Sequence, residues 1–179
     1  MQSGIPVYTA FETQTALEVI TGERTTAISP NKSCQIGSFT VVPFNVPHDT
    51  EIECYGYLIK HEEMGKLLFL TDLEYCKYDF SSQMVNHILC EVNYDMQFVN
   101  RDEPNYEHRL RGHMSLDTAL KFISTNDNPL LLNVVLIHLS EKSGDPAQFT
   151  EAMKKTIEYG ANVYVARKGL EVDLNLCPF

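Results

Sequence analysis

An α/β layered domain is what this sequence predicts, and three features of the chain carry that prediction. Short runs rich in Val, Ile, Leu, Phe and Tyr recur between polar segments and read as strands. Amphipathic stretches with capping residues stand among them and read as helices. One run, Leu130 to Leu139, is almost wholly aliphatic, as expected of a central strand covered on both faces. Strands interleaved with helices imply sheet and helix layers sharing one core.

Taken in order, Ile5 to Tyr8 opens with a short strand, and a helix follows from Phe11 to about Ile20, ended by Gly22 in the usual glycine cap. Thr25 to Gly37 is polar, contains Pro30 and Asn31, and reads as a loop. Ser38 to Val46 is a strand whose Pro43 points to an edge position or a bulge. Tyr55 to Lys60 and Lys66 to Leu70 form two more strands joined by the turn HEEMG, and His87 to Val92 is a further buried strand. Ser115 to Ser124 is a helix with Ser115 as N-cap, Asp117 in the first turn, and Leu116, Leu120 and Ile123 on one face. After the aliphatic strand, Asp145-Pro146 opens a helix running to Tyr159 and closed by Gly160. Val163 to Ala166 and Leu170 to Leu174 read as two last strands. The organisation expected is a single domain over 1–174 with a tail at 175–179.

The chain has 179 residues, is 44% hydrophobic and 21% charged, and carries a formal charge of −10. With an isoelectric point near 5.0, broad adhesion to nucleic acid or anionic membrane is disfavoured. A local basic pocket is still open to it, with Arg101, Arg109, Arg111 and Lys121 as candidates. No run of about 18 apolar residues exists to cross a membrane. Gln2, Ser3, Gly4 and Pro6 do not read as a secretory leader. Five cysteines, odd in number and without a CxxC pair, suit a reducing cytoplasm.

Chemistry is expected where strands end. His48 follows SFTVVPFNV, Asp72 follows KLLFL, and His138 closes LLNVVLI. Reactive groups of α/β sheets gather beyond the carboxyl ends of strands. Two imidazoles and one carboxylate are ordinary ligands for zinc and leave a position open for water. Read one by one, His48 is a loop histidine, Asp72 a cap and His138 a satisfied core histidine; together they suggest one shared site. The same set suits non-haem iron, whereas Cys54 and Cys90 sit in apolar runs that leave thiols inert. His113 lies just before a helix start, where backbone N–H groups favour anions.

From about Gly4 to Leu174, the segments VPHDTEIECYGY, FLTDLEY, RLRGHMSLDTAL and LIHLSEKSGDP resemble, in this order, metallo-β-lactamase-fold phosphodiesterases and nuclease-like hydrolases of bacteria and their phages. The resemblance implies a partial αββα sandwich, mainly the second sheet with its covering helices. It implies that His48 binds a first metal, that Asp72 bridges two, and that His138 binds the second. By the same resemblance His113 contacts substrate phosphate or moves a proton, and Glu91 and Asp95 are structural or supporting groups. The metal implied is zinc or another divalent ion such as manganese or iron.

The family's His-x-His-x-Asp-His run, source of most dinuclear ligands, does not occur in these residues. The resemblance therefore implies the C-terminal portion of a metal-dependent, phosphodiesterase-like hydrolase. Its rival is an inactive binding or scaffold module, or a subunit completed by a separate N-terminal half. In this chain alone, one mononuclear site on His48, Asp72 and His138 requires both imidazoles to converge. Small phosphodiesters or nucleotides are the substrates implied. A fold that keeps mainly one of two facing sheets should bare an apolar face, so either a homodimer or a complementary N-terminal half is expected to cover it.

Overall fold

The computed structural model describes residues 4–21, 24–48 and 53–177. Two sheets form. The smaller pairs β1 (Val7–Thr9) with β2 (Thr25–Ala27) in parallel, connected by α1 (Phe11–Thr21). The larger has seven strands in chain order: β3 (Cys34–Ile36), β4 (Phe39–Val46), β5 (Cys54–His61), β6 (Gly65–Leu70), β7 (His87–Glu91), β8 (Asn133–Ile137) and β9 (Asn162–Val165). Its first half, β3 to β6, is an antiparallel meander, and β6 to β9 are parallel. The parallel half needs crossovers. Those are supplied by α2 (Tyr106–Gly112) and α3 (Leu116–Asn126) between β7 and β8, and by α4 (Pro146–Thr156) between β8 and β9.

One face of the large sheet makes the main core. Leu68, Leu70, Ile88, Cys90, Val134 and Leu136 pack there against Leu116, Phe122 and Ile123 of α3 and Phe149 and Met153 of α4. Burying each such side chain contributes about 1.5–3 kcal/mol. The helices start where their caps dictate: Ser115 Oγ accepts from Thr118 N–H at 3.2 Å, and Asp145 accepts from Ala147 N–H at 2.9 Å with Pro146 at the first helical position. Gly56 sits in β5 because a Cβ there would stand 2.5 Å from the Phe44 ring and 2.8 Å from Leu70. The strand-bound Pro43 breaks no ladder bond. Its carbonyl faces away from β5 and accepts from Asn31 N–H at 2.7 Å, so the missing N–H is on that side as well.

Several elements differ from the sequence expectation. The stretch expected as a loop, 25–37, contains β2 and β3, each three residues long and defined by its partner strand. Residues 106–112 form α2, which has no apolar periodicity; buried Arg109 fastens it to Ser143 Oγ at 2.7 Å and to Glu103 at 2.9 Å. The aliphatic strand begins only at Asn133, because Asn128 Oδ1 takes Leu130 N–H into a turn; it lies next to the edge strand β9. Helix α4 stops at Thr156, where Asp127 Oδ2 accepts from Glu158 N–H at 2.6 Å, and Gly160 then turns at φ +82°. Residues 170–174 are not a strand, though Asp173 offers its carbonyl to Asn133 Nδ2 at 3.3 Å. The cap expected at Gly22 lies outside the described residues. Among the described residues no helix is long and apolar enough to cross a membrane.

Candidate metal centre

Parallel register decides where the polar residues meet. Leu70, Cys90 and Leu136 stand side by side on β6, β7 and β8, so the three strands end at one edge of the sheet. Asp72, Glu91 and His138 follow within two residues and are delivered to that edge together. Asp72 and His138 both occupy left-handed backbone, at φ +54° and +58°. Asp and His tolerate that region better than most side chains, yet it still costs about 1–2 kcal/mol at each. The turn it makes at each strand end brings the side chain back over the edge.

His113 joins them as the C-cap of α2. Ligand atoms of Asp72, His113 and His138 all lie within 4.8 Å of one another. Beneath the three lies Glu91, whose side chain is 0% exposed. Its Oε1 accepts from His113 Nδ1 at 2.7 Å and is 3.3 Å from His138 Nδ1, while Oε2 accepts from Leu73 N–H at 3.2 Å. Asp72 stands 3.6 Å from His138 Nδ1 and is steadied by Thr71 Oγ1 at 3.0 Å. Asn93 ties the two neighbouring loops together, donating from Nδ2 to the His138 carbonyl at 2.9 Å and accepting Ser140 N–H at 2.8 Å.

His48 takes a place beside this cluster. A carbonyl only accepts, so its Nδ1, 2.7 Å from Gly112 O, carries the proton and leaves Nε2 with the free lone pair. Its ring centre is 5.8 Å from that of His113, which is 5.0 Å from His138. Of the residues expected from sequence, Asp72 and His138 are therefore brought together, His113 completes the donor set with them, and His48 flanks it. His108, which had carried no functional reading, stands 5.9 Å from His113 and 6.2 Å from His48. No sequence signal distinguishes it, because α2 itself is unpatterned. Glu91 did have a signal: a carboxylate closing an otherwise apolar strand.

The hydrogen bond to Glu91 holds His113 above the ordinary histidine value; burial opposes this, and Asp72 adds to the upward pull. A neighbouring cavity of about 270 Å³ is lined by His108, His113, His138, Asn93, Asn105 and Arg109 among others. The donor chemistry fits a divalent ion, since a carboxylate oxygen and two imidazole nitrogens are normal ligands for zinc, and suit iron equally. The Cys90 thiol, by contrast, is fully buried and pushed upward by desolvation, which removes it as a nucleophile.

The sequence matches no protein-family model and no curated protein. Its structure does match solved ones. The metallo-β-lactamase fold protein YhfI from Bacillus subtilis superposes with a TM-score of 0.68 at 18% identity, over 92% of this chain and 63% of that one. Igni18, a metallo hydrolase from the archaeon Ignicoccus hospitalis, gives a TM-score of 0.70 at 14% identity, over 96% and 69%. A diphosphatase from the PhnP family gives 0.60 at 14% identity, over 94% and 57%. The chain thus has the metallo-β-lactamase fold, in the αββα arrangement's seven-stranded part with its covering helices, and spans about three fifths of the length of such structures.

Proposed function

We propose that this chain is the C-terminal portion of a metal-dependent hydrolase acting on small phosphodiesters or nucleotides. The observation that carries the reading is the convergence of Asp72, His113 and His138 on one sheet edge beside a cavity. Similarity to a metallo hydrolase and to a diphosphatase supports the reaction class. Asp72, His113 and His138 would hold zinc, manganese or iron. Such an ion, when bound, supplies Lewis acidity that brings the pKa of water toward about 7 and polarises a phosphoryl oxygen.

The protein's own groups do the rest. Glu91 fixes the tautomer of His113 by accepting a hydrogen bond from Nδ1–H, so Nε2 is the nitrogen free to bind or to exchange a proton. His48 is locked in the same tautomer by Gly112 and flanks the centre with a second free Nε2. His108 on α2 and Asn105, its N-cap, line the cavity in which the non-reacting part of a substrate would sit. That volume suits a small molecule rather than a long strand. The five free thiols support a reducing, cytoplasmic setting.

Metal content and hydrolysis of bis(p-nitrophenyl) phosphate by protein loaded with zinc or manganese test the reading. Asp72→Asn and His138→Ala should lose metal and hydrolysis together. His113→Ala separates its two roles: metal lost means a ligand, whereas metal kept with a lowered kcat means proton transfer. A second reading, an inactive binding module, is favoured by the missing His-x-His-x-Asp-His run. Protein that binds neither ion and hydrolyses nothing would leave that one standing.

A further inference from the structure

Helix α2 carries His113 to the metal centre, yet little holds the helix itself. Among the described residues no strand or other helix runs closely alongside it. Of its seven residues, Arg109 is the one whose side chain is buried. Two bonds reach the helix end, His48 Nδ1 to Gly112 O and His113 Nδ1 to Glu91, but both are made by groups of the centre. Arg109 holds α2 from outside that group. Its Nη1 donates to Ser143 Oγ at 2.7 Å and its Nη2 to Glu103 Oε2 at 2.9 Å. Ser143 is 1% exposed and belongs to the loop that leaves His138. Its N–H donates to Ser140 Oγ at 3.3 Å, and its carbonyl accepts from Asp95 N–H at 2.9 Å. Ser140 N–H in turn bonds Asn93 O, and Asn93 Nδ2 bonds the His138 carbonyl.

We propose that Arg109 is a positioning residue of the centre, setting the place of His113 relative to His138. One residue spans the two loops. Its carbonyl accepts the His113 N–H at 3.1 Å, and its guanidinium grips the loop that follows His138. A guanidinium suits the task because its charge is permanent and its planar fork holds two acceptors at a fixed angle. With Glu103 and Ser143 as partners the buried charge is satisfied only while α2 stays docked, so sliding the helix away would strand it. Precision matters here, since a donor set works within about 0.5 Å of its productive geometry. The functional consequence rests on the reading of Asp72, His113 and His138 as metal ligands; the tether itself is testable in metal-free protein.

Two readouts on the full chain test it: zinc calorimetry, and the downfield NMR signal of the His113 Nδ1 proton that Glu91 holds in the metal-free protein. Ser143→Ala removes one acceptor of the fork, and Arg109→Met keeps the stem and removes every donor. Both should bind zinc about tenfold more weakly, the lower end of what groups behind a ligand contribute. Both should also lose or broaden the His113 signal. Met153→Ala, in the core under α4, should lower urea stability while leaving zinc affinity and the signal as in wild type. If Arg109→Met does not fold, Ser143→Ala decides alone. Folded Ser143→Ala with wild-type zinc affinity or an unchanged His113 signal overturns the proposal, as does Met153→Ala showing the same losses. A wild-type chain that takes up no zinc ends the metal reading instead; the signal in Ser143→Ala then decides whether Arg109 positions His113.

Discussion

Removing the charge from Glu91 while keeping its shape is the sharpest perturbation of the centre. In Glu91→Gln the side chain still fills its fully buried site, but one acceptor oxygen becomes an NH₂ donor. Two outcomes are open, and both cost. If the remaining oxygen keeps Leu73 N–H, the NH₂ group faces His113 Nδ1 and forces that ring into the other tautomer, which takes the free lone pair from Nε2. If the oxygen keeps His113, the buried Leu73 N–H loses its acceptor. A charge-assisted hydrogen bond contributes about 1.5–3 kcal/mol, and an orphaned buried donor costs about 1–3 kcal/mol. The apo protein should therefore lose about 2 kcal/mol in urea unfolding. Losing the carboxylate behind a ligating histidine lowers metal affinity by about 10–100-fold, equivalent to about 1.4–2.8 kcal/mol. Zinc calorimetry on matched folded samples reads the second effect, and NMR titration of His113 should show its pKa falling. Unchanged zinc affinity with an unchanged His113 titration would refute the reasoning that Glu91 orders this centre.

Three further outcomes follow from local features. His138→Gly should be more stable than His138→Ala by about 1 kcal/mol in urea unfolding, because glycine occupies φ +58° without strain; equal stabilities would contradict the left-handed turn. Gly56→Ala should destabilise the fold by about 1–3 kcal/mol and lower Tm, since its methyl meets the Phe44 ring and Leu70. Burial depresses the His87 pKa, with Nε2 donating to Met64 O at 3.1 Å and Nδ1 facing Asn133 Nδ2 at 3.1 Å. Below its ordinary value of 6.5 the unfolded chain takes up a proton that the folded one refuses. Stability should thus fall with falling pH from that point, by up to about 1.4 kcal/mol per pH unit. Above it His87 contributes no pH dependence, and His87→Gln should remove this slope from stability measured between pH 4 and 8.

Local chemistry was legible in the sequence wherever a residue acts on its immediate neighbours. Ser115 and Asp145 mark helix starts because their side chains cap N–H groups two or three residues on. The strands of KLLFL and HILC are readable because apolar content alone commits them to the interior. That Asp72 and His138 end strands was readable for the same reason. What the sequence could not determine depends on segments far apart in the chain. The three-residue strands β2 and β3 exist only through their partners, and α2 only through Arg109 reaching Ser143. The left-handed turns at Asp72 and His138 carry no signature. That His113 lies within reach of Asp72 and His138 follows from the crossover from β7 to β8, which lays the end of α2 over Glu91. Aliphatic patterning marked the strand within Leu130 to Leu139 as buried on both faces, but only the layering of α3 and α4 decided which face of the sheet carries the helices.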